Sequence, residues 1–243
     1  MQRHSPSTEV PPYTFPSYTE AYLNLNPTET AQAQLVVDLT DNEAPIRSFQ
    51  KLMEANGDLF TRDHSRRVAM AAVAIGSRLG LADAELILLA EGAQSHDIGK
   101  LDPEIQVVVK SSVQFELGSI ERKTAMAIIE RHPYHSADLI ACTSWPDDHK
   151  RRVASIVGAH HLYSSRESYG LQPDSDVAHL AEIVAAADML DAFASERPYK
   201  PAYGRNEIAD LLQTQFTGDP KIIEATSQPR SAKQMLASTA ISH

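Results

Sequence analysis

Apolar residues recur at three- and four-residue intervals over most of this 243-residue chain, and alternating β-branched runs are scarce. This period is typical of amphipathic α-helices rather than strands. We therefore predict an all-α fold, a helical bundle over residues 43–217. Helices are predicted over Thr61–Leu79, Ala82–Gln94, Ile120–Glu130, His132–Cys142, Asp147–His160, Val177–Ser195 and Asn206–Gln215, with a further helix restarting at Asp102-Pro103.

Both ends of the chain and one internal segment lack this period. Residues 1–42 are rich in proline and polar residues, a composition typical of disorder. We predict an N-terminal extension there, partly disordered, whose short apolar segments could dock on the body. Residues 218–243 are predicted to form a C-terminal tail. The aperiodic segment Leu162–Ser175 joins two predicted helices and is predicted to be an active-site loop.

Composition and charge exclude several classes of protein. The net charge is −10 and there is no dense stripe of Lys and Arg, which argues against binding a nucleic-acid polymer. Apolar runs fall short of the roughly 20 residues needed to cross a bilayer, and the N-terminus does not resemble a secretory signal. We therefore predict a cytoplasmic protein without membrane contact. The single cysteine, Cys142, excludes an internal disulfide and a thiolate-rich zinc site.

Side chains that commonly ligate metals follow one another along the chain. They are His64, His96-Asp97, His132, His160-His161 and Asp188. Imidazole and carboxylate ligands suit divalent iron, manganese or zinc. Two ions that share a bridging aspartate need about this many ligands, and such a pair can activate water beside a phosphate. The series therefore predicts a two-metal site.

Some of these residues have a simpler explanation when each is taken alone. His64 stands beside Arg66 and Arg67, so a solvated helix face would account for it. His132 has a rival one turn later, at His135. The order of the whole series, rather than any one histidine, carries the prediction.

Asp188 is the most telling single residue, because it interrupts the apolar run 183–187 of a predicted buried helix. A buried and unpaired carboxylate costs several kcal/mol, so Asp188 needs a cation. Asp191, one turn later, is either a second inward-facing group or a surface residue. Lys100 stands three residues after Asp97, where a helical turn brings its ammonium group to the same face as the carboxylate.

The combined pattern resembles the metal-dependent HD phosphohydrolase superfamily, and within it the HD-GYP branch. The resemblance covers about residues 58–201. It is carried by the segments TRDHSRRV from Thr61, HDIGK from His96, HPYHSADLI from His132 and ADMLDAFASERPY from Ala187.

The resemblance implies a role for each matching residue. Asp97 would bridge two divalent metal ions, iron or manganese in the first place, with zinc, nickel or magnesium as other choices. His64, His96 and Asp188 would complete one metal site, and His132, His160 and His161 the other. Lys100, Asp191, Arg197 and Lys200 fall where the family contacts the phosphates or guanines of its substrate.

Three positions depart from the family pattern. Ser168-Tyr169-Gly170 stands in place of the glycine-tyrosine-proline motif, so that only the tyrosine, which we assign to substrate binding, is kept. Leu162 replaces an acidic residue after the histidine pair. Phe60 stands where some members place a glutamate for a third metal, and we therefore predict two metals.

The resemblance implies a phosphodiesterase for cyclic di-GMP, a bacterial second messenger. A metal-bridging hydroxide would attack phosphorus, Lys100 would stabilise the phosphoryl charge, and Arg197 would grip a phosphate. Two alternatives stay open: a catalytically silent nucleotide-binding signalling module, and an HD-type di-iron oxygenase. Another phosphate ester as substrate, a homodimer and a regulatory partner protein also stay open.

Overall fold

The computed structural model describes residues 22–112, 119–195 and 202–227. This part of the chain is helical, as predicted, and its one β-type contact is an isolated bridge between Ser164 and Phe216. The helices are α1 Pro27–Asp41, α2 Ala44–Ala55, α3 Leu59–Leu79, α4 Asp83–Ser95, α5 Pro103–Ser112, α6 Ile120–Ile129, α7 His132–Ala141, α8 Asp147–Ala159, α9 Ala178–Ala194, α10 Arg205–Gln215 and α11 Pro220–Ser227, with a short 3-10 helix over Ile98–Leu101 between α4 and α5.

Helix α3 lies at the centre of the bundle and packs against α1, α4 and α9. It begins where the Asp58 side chain accepts a hydrogen bond from the amide of Thr61, and it ends at Gly80, which has a φ of 85°. Its residues from Val68 to Ile75 are all buried. Small side chains at many of these positions let neighbouring helices approach closely, so a polar residue on α3 can reach the middle of the bundle.

The N-terminal region differs from the extension predicted for residues 1–42. Residues 27–41 form α1, which begins with a capping box between Asn26 and Glu29. Val37 on this helix is fully buried. Arg78 of α3 donates hydrogen bonds to Glu29 and to the backbone carbonyl of Leu23. The helical body therefore includes this segment, while residues 1–21 lie outside the described residues.

The C-terminal region also differs from the tail predicted for residues 218–243. Residues 220–227 form α11, which packs on α3 and α9 and buries Ile222 and Thr226. Arg78 donates a further hydrogen bond to the carbonyl of Ala225. An eight-residue helix shows too little periodicity to be recognised in the sequence. Arg78, which holds it by this hydrogen bond, lies 147 residues earlier in the chain. Residues 228–243 lie outside the described residues.

No helix in the described ranges is long and apolar enough to span a bilayer. The predicted restart of a helix at residue 102 is confirmed, because the Asp102 carboxylate accepts hydrogen bonds from the amides of Glu104 and Ile105 at the start of α5. The 3-10 helix before it turns the chain away from the end of α4 and packs against α7.

Candidate metal centre

The structure brings all seven predicted ligands into one cluster, although they come from five places in the chain. His64 lies on α3, Asp188 lies on α9, and the remaining ligands stand where helices begin or end. Three groups have ligand atoms within 4.8 Å of one another: His64 with His96 and Asp188, His96 with Asp97 and His160, and His132 with His160 and His161. His135, the rival of His132, faces Asp102 at 3.8 Å instead.

Asp97 lies between the two sets of ligands. Its Oδ1 is 3.1 Å from Nε2 of His132. Its Oδ2 is 3.6 Å from Nε2 of His64 and 3.5 Å from Nε2 of His96. Each carboxylate oxygen therefore faces a different set of imidazoles, which is the arrangement that a bridging ligand requires. Asp188 faces one set, with Oδ1 at 3.1 Å from Nε2 of His64.

Three of the histidines are oriented by the same local device. His96, His132 and His160 each follow the last turn of a helix, where carbonyl groups lack partners within the helix. In each, Nδ1 lies 2.6–2.7 Å from the carbonyl oxygen three residues earlier. A carbonyl oxygen only accepts hydrogen bonds, so Nδ1 must donate the proton and Nε2 keeps its lone pair. The three Nε2 atoms point into the cluster with their lone pairs available to a metal ion.

This arrangement leaves buried polar atoms that bound cations would satisfy. Nε2 of His132 and Nε2 of His160 lie 3.2 Å apart, but two lone pairs cannot hydrogen-bond to each other. Nε2 of His96 and Oδ1 of Asp97 are buried without a hydrogen-bond partner. Buried polar groups are normally paired, and leaving them unpaired costs about 1–3 kcal/mol each. The donor set therefore fits divalent metal ions.

The electrostatics of the cluster keep His160, His161 and Asp97 in the forms that bind metal. Burial lowers the pKa of His161 to about 3 and lowers the pKa of His160 well below its usual value. Burial alone would raise the pKa of Asp97, but the charge of Lys100 and the nearby His96 outweigh it and hold that pKa well below the usual range. Neutral imidazoles and ionised carboxylates are the ligand forms.

A family model described as "HD domain" matches residues 61–192 of the chain, a range that contains every one of these ligands. The chain belongs to the HD-domain family. The range begins three residues before His64 and ends four residues after Asp188.

Three curated relatives resemble the chain over most of its length. They are the 3'3'-cGAMP-specific phosphodiesterase 3 of Vibrio cholerae, with 29% identity over 80% of this chain and 39% of the relative; the cyclic di-GMP phosphodiesterase response regulator RpfG of Xanthomonas campestris, with 27% identity over 70% and 43%; and the 3'3'-cGAMP-specific phosphodiesterase 2 of Vibrio cholerae, with 26% identity over 78% and 35%. The chain spans about two-fifths of the length of these relatives.

Behind the ligands of this HD domain lies a buried ionic pair that orients His64. Oδ2 of Asp191 is 2.8 Å from Nδ1 of His64, and Arg67 donates two hydrogen bonds to the same carboxylate. Burial disfavours the charged imidazole, but hydrogen bonds to Asp188 and Asp191 outweigh it and raise the pKa of His64 to about 9. Asp191 is 1% exposed. This position favours orientation of His64 over the substrate contact implied by the resemblance.

Lys100 and Tyr169, which the sequence analysis assigned to substrate binding, both contact residues of the cluster. Nζ of Lys100 lies 2.5 Å from Oδ2 of Asp97, and its side chain is 25% exposed. The ring of Tyr169 stacks on His161 with centroids 4.5 Å apart. The loop that carries Tyr169 is held by Gly170, whose position leaves no room for a side chain against the carbonyl of Gly158. The predicted contacts Arg197 and Lys200 lie outside the described residues.

One supporting contact of the HD domain was missed in the sequence. The amide of Gly99 donates to the hydroxyl of Ser136, which donates in turn to the carbonyl of His96. A Cβ atom at Gly99 would overlap the carbonyl oxygen of His132. The turn that holds Asp97 is thus pressed against the start of α7. The glycine after His96-Asp97 is visible in the sequence, but its partner Ser136 is not.

Proposed function

We propose that this HD domain is a binuclear metal-dependent phosphodiesterase that hydrolyses a cyclic dinucleotide, cyclic di-GMP in the first place. The observation that carries the proposal is Asp97, whose two oxygens face two separate sets of ligands. A single-metal site would not need a carboxylate in that position. Relatives named as phosphodiesterases of cyclic di-GMP and of 3'3'-cGAMP support the substrate class.

The residues present would hold two divalent ions. His64, His96 and Asp188 would bind one, His132, His160 and His161 the other, and Asp97 would bind both. Nitrogen and oxygen donors without thiolates suit iron and manganese, and they also accept zinc or nickel. When bound, such ions supply positive charge beside the scissile phosphate and lower the pKa of water, so that water attacks a phosphodiester at neutral pH.

The chain's own residues supply orientation and charge for this reaction. Lys100 places an ammonium group beside the carboxylate of Asp97, at the surface of the cluster that remains open to solvent. We assign it to the non-bridging oxygens of the scissile phosphate, where negative charge grows in the transition state. Asp191 holds His64 in one orientation, because its carboxylate is fixed in turn by Arg67. We assign Tyr169, Arg197 and Lys200 to the rest of the substrate.

The test is hydrolysis of defined substrates by the metal-loaded protein. The protein is purified with manganese or with iron, its metal content is measured, and cyclic di-GMP and 3'3'-cGAMP are added in turn. We expect a linear dinucleotide or mononucleotides as products. The substitution Asp97→Ala is expected to abolish turnover and to remove metal.

His132→Ala and His135→Ala form a matched pair for this test. Both change a histidine of α7, but only His132 belongs to the ligand cluster. We expect loss of metal and of turnover for His132→Ala alone. Tight binding of the dinucleotide without turnover would favour a silent binding module, and equal effects of the two substitutions would contradict the assigned metal site.

A further inference from the structure

An aromatic ring stacks on an imidazole in each of the two ligand sets. The ring of Phe60 lies nearly parallel to that of His64, with an interplanar angle of 9° and centroids 6.3 Å apart. In the other set, Tyr169 stacks on His161 with an interplanar angle of 26°. The metal centre is therefore flanked by aromatic faces in both sets, although only the tyrosine was assigned to substrate from the sequence.

Phe60 is also open to solvent, whereas the ligand beneath it is not. Phe60 as a whole residue is 51% exposed, against 4% for His64. Phe60 stands in the first turn of α3, one turn before His64, so the helix holds the backbone of both residues in one register. A large apolar face held open beside a buried metal ligand can gain further burial from a bound molecule.

We propose that Phe60 is a stacking wall for one nucleobase of the substrate. This inference rests on the proposed function and extends it to the manner in which the dinucleotide is held. A cyclic dinucleotide carries a base beside each phosphate, and a phosphate at the metals brings a base within reach of the rings next to the ligands. Phe60 would stack one base, and Tyr169 stands beside the other ligand set.

The chemistry of Phe60 also limits what it selects. A phenyl ring has no hydrogen-bonding group, and stacking on an aromatic side chain tolerates any base because each base has a π-face. Phe60 therefore contributes affinity for purines without separating guanine from adenine. Discrimination between cyclic di-GMP and 3'3'-cGAMP must come from polar groups elsewhere in the site.

The test compares a substrate that has nucleobases with one that has none. For each variant, kcat/KM is measured with cyclic di-GMP and with glycerophosphocholine, a small phosphodiester without an aromatic ring, and metal content is measured in parallel. We expect Phe60→Ala to lower kcat/KM for cyclic di-GMP, relative to kcat/KM for the small phosphodiester, by about tenfold or more, as loss of one base stack predicts. Most of this change should be a higher KM for cyclic di-GMP. Phe60→Trp should restore the ratio. Leu59→Ala, a matched control at a neighbour that is 48% exposed, should leave it at the wild-type value.

Phe60→Trp provides a second readout that does not depend on turnover. Trp145 is the chain's one tryptophan and is buried, so the added indole reports on the site. We expect cyclic di-GMP and GMP to quench this added fluorescence, and ribose 5-phosphate to leave it unchanged. An equal fall of kcat/KM for both substrates with Phe60→Ala, together with loss of metal, would show that Phe60 only packs on His64 and would overturn the proposal.

The two proposals fail in different ways. If the wild-type protein hydrolyses glycerophosphocholine but no cyclic dinucleotide, the proposed substrate is wrong. The stacking wall is then judged by GMP and Phe60→Trp alone. Quenching by GMP but not by ribose 5-phosphate would support it, and the absence of such a difference would overturn it.

Discussion

Replacing Gly99 by alanine tests how the turn at Asp97 is held. A Cβ atom at this position would overlap the carbonyl oxygen of His132 and stand only 2.6 Å from the amide nitrogen of Ser136 and 2.9 Å from its hydroxyl. Two of these three atoms belong to the backbone of α7, so no side-chain rotation relieves the contact. The turn and α7 must move apart.

The size of this effect follows from the contacts. Ordinary van der Waals contact begins near 3.4 Å, so the separation must grow by roughly 1 Å. Overpacking of this kind costs about 1–3 kcal/mol, and the lost hydrogen bond from Gly99 to Ser136 adds about 1 kcal/mol. For a domain of this size we expect Tm to fall by about 5–12 °C. Asp97 and His132 separate in the same movement, so metal affinity should fall as well.

The assay combines thermal unfolding with metal titration and turnover of cyclic di-GMP. Gly204→Ala is the matched control, because a Cβ atom there would meet only the flexible end of Glu207, at 3.2 Å. We expect Gly99→Ala to lower Tm, metal affinity and turnover, and Gly204→Ala to change Tm by less than about 2 °C. If Gly99→Ala kept wild-type Tm and metal content, the proposed packing of this turn would be refuted.

Three further predictions concern buried charges. Asp191→Asn removes the carboxylate that orients His64, so metal affinity should fall about 10- to 100-fold; calorimetric titration with Mn²⁺ measures it, and unchanged affinity would count against the orienting role. Arg78→Met leaves Glu29 charged and buried, so urea unfolding should show that the free energy of unfolding falls by about 3–5 kcal/mol. The double substitution with Glu29→Gln should recover part of that free energy. A fall below about 1 kcal/mol for Arg78→Met would contradict the role of this pair. Burial, with the nearby Glu43, raises the pKa of Glu91 to about 8. The folded state therefore holds a proton that the unfolded chain releases above about pH 4.5. The free energy of unfolding should fall as pH rises from about 4.5 to 8. Glu91→Gln keeps the neutral form and should raise Tm at pH 8.5 with little change at pH 5. A loss of Tm at both pH values would contradict the neutral form of Glu91, whose Oε2 lies 2.8 Å from Nε2 of His149.

The helices of the body were predictable because each one encodes its own period. Predicted Thr61–Leu79 corresponds to α3, Leu59–Leu79, and predicted Ala82–Gln94 corresponds to α4, Asp83–Ser95. Helix α1 was not predicted as part of the body because its apolar periodicity is weak. Its stability depends on the hydrogen bond between Glu29 and Arg78, which lies 49 residues later in the chain. A stretch of sequence around either residue does not show that the two residues will pair.

The candidate ligands could be read from the sequence because metal chemistry restricts residue type. A carboxylate such as Asp188 inside an apolar run is costly wherever the chain folds, so its need for a cation is already present in the primary structure. The order of the histidines indicated imidazole ligands, and the presence of only one cysteine excluded a thiolate-rich site. The predicted metal ligands were therefore imidazoles and carboxylates.

The neighbours of those ligands were decided only by the tertiary structure. Asp191 and Asp188 look alike in the sequence, yet one carboxylate faces the cluster and the other lies behind His64 against Arg67. Nothing in the sequence distinguishes Ser136 from other polar residues of its helix, and only the structure shows that its hydroxyl accepts a hydrogen bond from Gly99. The sequence determined which side chains have the chemistry of a metal centre, because that depends on residue type and local period. The tertiary structure decided which of them face the cluster and which lie behind it, because that depends on distances between helices far apart in the chain.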